Sequence, residues 1–204
     1  MPTLSDNSNR TEQFPRRLDR RGMTLVEIMS VVGLIGMVIA IVAPRIDLGR
    51  YKADGGMQVV STAMMAAQRE AVSRQHDIVV MFDQANNSMI FLYDANNDGT
   101  VNGGERVRNL VLDRGVVFGR ANATVLPAVG GSAVSFTRIV NGLPSLTYHR
   151  SGSASQAGGI YLMWARATSG SAIDADNVRA LEVMRATGRP EWWSYDGSSW
   201  AREF

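Results

Sequence analysis

Three groups of residues in this sequence have types and spacing that could do chemistry. The first is a single carboxylate, Glu27. From Leu25 to Ala43 it is the only charged residue in an otherwise oily run. That run is about as long as a helix that crosses a ~30 Å hydrocarbon layer. A carboxylate inside such a layer costs roughly 2.5–3.5 kcal/mol on insertion scales, so it needs a partner or a task. The alternative is a carboxylate that snorkels out from near the helix end.

The second group is Asp94-Ala-Asn-Asn-Asp-Gly-Thr-Val-Asn-Gly-Gly-Glu105. Asp94, Asn96 and Asp98 fall at positions one, three and five of a calcium-loop pattern. Gly99 supplies the sharp turn, Thr100 a carbonyl, Asn102 the ninth position and Glu105 the bidentate twelfth. A Ca2+ ion there would stiffen a loop rather than catalyse. The same residues also suit a long hairpin, where Asn, Asp and Gly serve turn geometry. The third group is the tail, where Trp192, Trp193, Tyr195 and Trp200 crowd beside Arg189 and Arg202. Aromatics with arginine can stack on bases or anchor a protein partner. They can equally form an edge strand whose indoles cover the core.

Composition narrows the function. There is no Cys, so there is no disulfide framework, thiol nucleophile or thiolate metal site. The two histidines, His76 and His149, lie far apart with no paired acid motif. No serine elbow and no phosphate-binding glycine loop occurs, and nothing in the sequence supports an enzyme. The formal charge of +2 misleads. Residues 1–22 hold five arginines and three acids; subtracting them from 21 bases and 19 acids leaves 16 of each. A chain so balanced lacks the field expected of a nucleic-acid binder.

The elements that would position these groups follow from periodicity. Met1–Gly22 is polar and arginine-rich, and basic residues flanking a span stay on the cytoplasmic side. A secretory signal peptide cut at its apolar end is the competing reading, but Ile41-Val42-Ala43-Pro44 offers no small-x-small pair. Ser30, Gly33, Gly36 and Ala40 recur at helical spacing, which suits either close helix packing in lipid or ordinary span composition. Pro44 ends or kinks the helix. Asp47–Gly56 reads as a loosened, glycine-bearing stretch. Met57–Gln75 resumes helical periodicity, with Val60, Met64, Ala67 and Ala71 on one face.

Short β-type runs follow at Ile78–Phe82, Met89–Tyr93, Val107–Leu112, Val116–Phe118, Val134–Arg138, Leu146–His149, Ile160–Ala165 and Leu181–Arg185. Gly130–Ser132, Ser151–Gly159 and Ser169–Ser171 read as loops. The class is α+β: one long interrupted N-terminal helix laid on an antiparallel sheet domain. The expected divisions are 1–22, 23–44, 45–76 and 77–204.

Arg20-Arg21-Gly22-Met23-Thr24-Leu25-Val26-Glu27-Ile28, directly before the apolar run, resembles the cleavage-and-methylation signal of type IV prepilins and type II secretion pseudopilins. The resemblance implies a leader cut after Gly22 by a prepilin peptidase and N-methylation of Met23. It places Glu27 as the family's acidic residue and Pro44 as its helix-kinking proline. The new amine at Met23 would lie one turn from Glu27 on the same face. Opposite charges forced into an apolar layer pair or neutralise, so Glu27 becomes a register device for stacking helices.

Ser145-Leu-Thr-Tyr-His-Arg-Ser-Gly152, Gly159-Ile-Tyr-Leu162 and Arg179-Ala-Leu-Glu-Val-Met-Arg-Ala-Thr-Gly-Arg189 resemble the GspH/FimT subfamily of minor pseudopilins and pilins. Acidic, Asn-rich turns also recur there at the place of residues 94–105. The implied fold is pilin-like. The implied location is the bacterial inner membrane, with a periplasmic C-terminal domain that joins a fibre after assembly. The implied partners are other pseudopilins, the prepilin peptidase/N-methyltransferase and an inner-membrane assembly platform. The implied function is a minor pseudopilin of type II secretion, the alternative being a type IV pilus minor pilin, including one that takes up DNA. Such DNA-binding members continue Gly-Arg-x-Arg; here Glu191 stands in place of the second arginine.

Overall fold

The computed structural model describes residues 23–42, 48–100, 102–165 and 177–203. Gly22, Pro44 and the loop expected at Ser169–Ser171 lie outside the described residues. The chain divides into two compact units, Met1–Ile46 and Asp47–Phe204.

In the first unit, helix α1 runs from Leu25 to Val42. The Thr24 hydroxyl accepts the Glu27 N–H at 3.2 Å, and the Thr24 carbonyl accepts the Ile28 N–H at 3.1 Å. Thr24 is therefore the N-cap, and Thr24-Leu25-Val26-Glu27 has the spacing of a capping box. Among the described residues no helix is long and apolar enough to cross a membrane. The 18 residues of α1 rise about 27 Å at 1.5 Å each, just short of the ~30 Å hydrocarbon core.

In the second unit, helix α2 spans Leu48–Arg74. It closes at Gln75, whose φ of 57° gives the left-handed turn that commonly ends a helix. The glycine-rich stretch expected to be loose is regular helix here. Two of its glycines sit where the backbone meets other elements closely. A Cβ on Gly49 would lie 2.6 Å from the Trp164 ring, and one on Gly56 would lie 2.8 Å from Val116 Cγ1.

Ten strands follow: β1 (Asp77–Asp83), β2 (Ser88–Asp94), β3 (Arg106–Val111), β4 (Val116–Phe118), β5 (Arg138–Val140), β6 (Leu143–Tyr148), β7 (Gly158–Trp164), β8 (Val178–Val183), β9 (Pro190–Tyr195) and β10 (Trp200–Arg202). They form two five-stranded sheets rather than one, in the orders β3-β2-β1-β6-β5 and β10-β9-β8-β7-β4. All pairings within them are antiparallel. The strand expected at Val134–Arg138 is only a bridge from Val134 to Ile160, and the real strand starts at Arg138. Asn141 and Gly142 both have positive φ, the signature of a two-residue hairpin turn. That turn fixes Val140 opposite Leu143 and sets the register of β5.

α2 packs against β1 and β6 of the first sheet and β7, β8 and β9 of the second. Its buried face is the expected one: Val60, Met64, Ala67 and Ala71 are all at most 4% exposed. They join Ile78, Val80, Phe82, Phe91, Leu146 and Leu181 in the main core. Alternation carries Val79 and Met81 to the other face of β1, into a smaller cluster with Leu92 and Val140. A third cluster backs the second sheet, where Tyr161, Val178, Ala180 and Tyr195 are closed over by Ala123, Leu126 and Val129.

Candidate functional site

The surface of α1 is the first candidate. Leu25, Val26, Met29, Leu34, Met37 and Ile41 are all more than half exposed, as is Met23. Apolar side chains point outward all round, and a helix of that kind is at home only inside a protein core or a membrane. A Cβ on Gly33 or Gly36 would meet nothing within 4 Å. Glu27 is exposed in the first turn, where the helix dipole favours a carboxylate. Met23 lies just ahead of the helix, two residues before Leu25. Thr24, which sequence reasoning passed over, occupies the cap between them; the Thr-x-x-Glu spacing was the signal that could have found it. Inside the turn, the Ser30 hydroxyl donates to the Glu27 carbonyl at 2.8 Å.

The acidic loop connects β2 to β3 and is closed by its own hydrogen bonds. Asp94 is buried and accepts the Asp98 N–H at 3.0 Å and the Gly99 N–H at 2.6 Å. Asp98 accepts four donors: the Thr100 N–H and hydroxyl on one oxygen, and the Asn96 and Asn102 amides on the other. These bonds, the Thr100 hydroxyl foremost, hold the Asp98 carboxyl down at about 2. Glu105 accepts the Asn102 N–H at 2.9 Å with one oxygen, while its other oxygen is shielded and has no partner among the described residues. Beneath Gly99 lies the Arg138 guanidinium: a Cβ there would meet its nitrogen. The loop thus gathers all six predicted residues in one turn. Among the described residues, no group of three or more His, Cys, Asp or Glu is arranged to hold a metal ion.

The tail residues serve the packing of the second sheet. β9 and β10 form a hairpin with Trp200 opposite Tyr195. Trp192 packs against the main core, and Trp193 and Trp200 against the cluster behind the sheet. The Trp200 indole N–H donates to the Thr124 carbonyl at 3.0 Å, and its ring lies 5.0 Å from Tyr195 and 5.7 Å from Tyr161. Arg189 sits 3.9 Å from Glu191, which Arg202 also engages. The residue that stands in place of a second arginine is therefore an acid shared by the two that are present.

A buried cation that sequence reasoning did not single out ties α2 to the second sheet. Arg179 is 1% exposed, and its Nε donates to Asp54 Oδ1 at 2.5 Å. A second guanidinium nitrogen donates to the Val178 carbonyl at 2.8 Å. At the opposite corner, His149 Nδ1 lies 2.8 Å from Asp77 Oδ2, and Asp77 also accepts the Arg150 N–H.

The profile of the family described as type II transport protein GspH matches residues 57–181. That interval runs from the first core residue of α2 into β8. A solved structure described as the minor pseudopilin EpsH from the Type 2 Secretion System of Vibrio cholerae is similar at 16% sequence identity, with a TM-score of 0.46. The similarity covers 72% of this chain and 99% of that one. No curated protein matches the sequence.

Proposed function

Because this chain belongs to the GspH family of type II transport proteins, we propose that it acts as a minor pseudopilin of a type II secretion system. The leader is cut after Gly22 on the cytoplasmic side, Met23 is methylated, and α1 with the apolar residues beyond it holds the protein in the inner membrane. An assembly platform then draws α1 out of the lipid into the core of a fibre. The second unit is carried on the fibre's surface or at its tip.

One observation carries this reading beyond family membership. α1 exposes apolar side chains on every side, and burying a Leu or Ile side chain is worth roughly 1.5–3 kcal/mol. A helix with that much exposed apolar surface exchanges one apolar surrounding for another, first lipid and then neighbouring helices. Glu27 is the one group that can choose a register in such a stack, through the amine of its own or an adjacent chain.

Intact-mass and N-terminal sequencing of the membrane-extracted protein test the proposal. A chain starting at methylated Met23 is expected, and Glu27→Ala should abolish incorporation into the fibre while leaving cleavage intact. An uncut chain, or normal incorporation of the alanine variant, would overturn it.

A further inference from the structure

β3 is the outermost strand of the first sheet. The Leu112 N–H donates to the Asn87 carbonyl at 2.9 Å, one step beyond the Val111–Ser88 pair. Inward and outward backbone groups alternate along an antiparallel ladder. Arg106, Arg108 and Leu110 therefore turn theirs toward β2, while Val107, Asn109 and Val111 present theirs at the free edge. Exposed edges are usually blunted by proline, a bulge or charged side chains; β3 has no proline or bulge, and its charges, Arg106 and Arg108, fall on one face only. Val107 and Val111 are instead 50% and 66% exposed.

The two faces of this edge differ. On the α2 side an apolar groove of about 620 Å3 runs between Tyr51 and Val59 on the helix and, across from them, Val111 at the end of β3 and Leu112 just beyond it. It continues past Val59 into a second hollow lined by Arg108 and Leu110. The far end is basic. The Arg106 and Arg108 guanidinia stack at 4.8 Å on the rings of Tyr93 and Phe91. Arg106 shares Glu70 with Arg74 and the Tyr93 hydroxyl. Arg108 has no ion pair among the described residues. Among the described residues, Glu70 is thus the carboxylate that Arg74 and Arg106 share, and Arg108 keeps its charge unpaired.

We propose that β3 receives an extended segment of a different subunit of the same fibre, added as a sixth strand. Acidic side chains of that segment face Arg106 and Arg108, and apolar ones fill the groove beside Val59. A second copy of this chain does not fit. Among the described strands, its other free edges carry Arg138 on β5, Arg202 on β10, or only Val-Val-Phe on β4, so an edge-to-edge pair would set arginine against arginine or bring no acid. The inference rests on the pseudopilin reading.

The test places a photo-crosslinking residue at Asn109 of the full chain in secreting cells, with a second at Ile35 on α1 as control. The expected result is one non-identical fibre subunit bound through an acid-bearing peptide, identified by mass spectrometry. Arg106→Glu with Arg108→Glu should cut the yield roughly tenfold or more, whereas the paired lysine variant retains it. Thermal melts check that each variant folds. Crosslinks from Ile35 to fibre subunits, with none from Asn109 or only to a second copy, would overturn the docking surface and leave the pseudopilin reading standing. Crosslinks from neither position would remove both.

Discussion

Gly55 and Gly56 are neighbours on α2, and the structure assigns them opposite responses to one added methyl group. At Gly55 a Cβ would meet nothing within 4 Å. Alanine there gains only the helix-propensity difference, about 0.8–1 kcal/mol. At Gly56 the same atom would sit 2.8 Å from Val116 Cγ1 and 3.2 Å from Cγ2. Ordinary contact begins near 3.4 Å, so helix and strand must part by several tenths of an ångström. Val116 is buried and β-branched, with little rotamer freedom to yield. Overpacking of this kind costs about 1–3 kcal/mol. Set against the same propensity gain, Gly56→Ala is expected to lose up to ~2 kcal/mol.

The two variants should therefore split by about 1–3 kcal/mol, with Gly55→Ala above the parent protein and Gly56→Ala at or below it. Urea unfolding of a fragment beginning at Asp47, followed by tryptophan fluorescence, measures this directly. At this chain length each kcal/mol shifts the melting temperature by about 2–4 °C. If Gly56→Ala proves as stable as Gly55→Ala, α2 is not seated against β4 as described, and the interpretation of these glycines is wrong.

Three further outcomes are expected. Asp54→Ala removes the carboxylate oxygen that accepts from the buried Arg179 Nε and should cost about 1 kcal/mol; breaking a fully buried pair costs more, but the Asp54 side chain is 41% exposed. A double-mutant cycle with Arg179→Met separates the pairing from the volume lost. The Tyr148 hydroxyl is buried with no hydrogen-bond partner among the described residues, and burial pushes its ionisation far above the usual 10. The protein should lose stability as pH rises above 10, since only the unfolded chain ionises this phenol there. Tyr148→Phe should weaken that loss and be neutral or up to ~1 kcal/mol stabilising in denaturant melts at pH 7. In the acidic loop, Asp98 should titrate by carbon NMR near 2 rather than 3.8. The closed loop is then fully supported above about pH 4 and opens as pH falls toward 2.

Local patterns carried much of this protein's organisation. The apolar run with its single carboxylate, the buried face of α2 and most strands could all be read from periodicity, because burial on one side imposes a repeat of 3.6 or 2 on the chain itself. The Asn141-Gly142 turn was equally present in the sequence, and attention to it would have placed β5 correctly. Other features had no local signal. Arg179 lies in an ordinary strand pattern, and its burial depends on Asp54, 125 positions away. The division into two sheets depends on β6 pairing with β1 and β7 with β4, contacts between segments far apart in the chain. Trp193 and Trp200 became packing residues because the segment around Ala123–Val129 joins the cluster they rest on. Sequence alone could determine which residues need burial or a charge partner, since that need belongs to the side chain. Only the tertiary structure decided which partner each one found, because that depends on chain segments brought together from a distance.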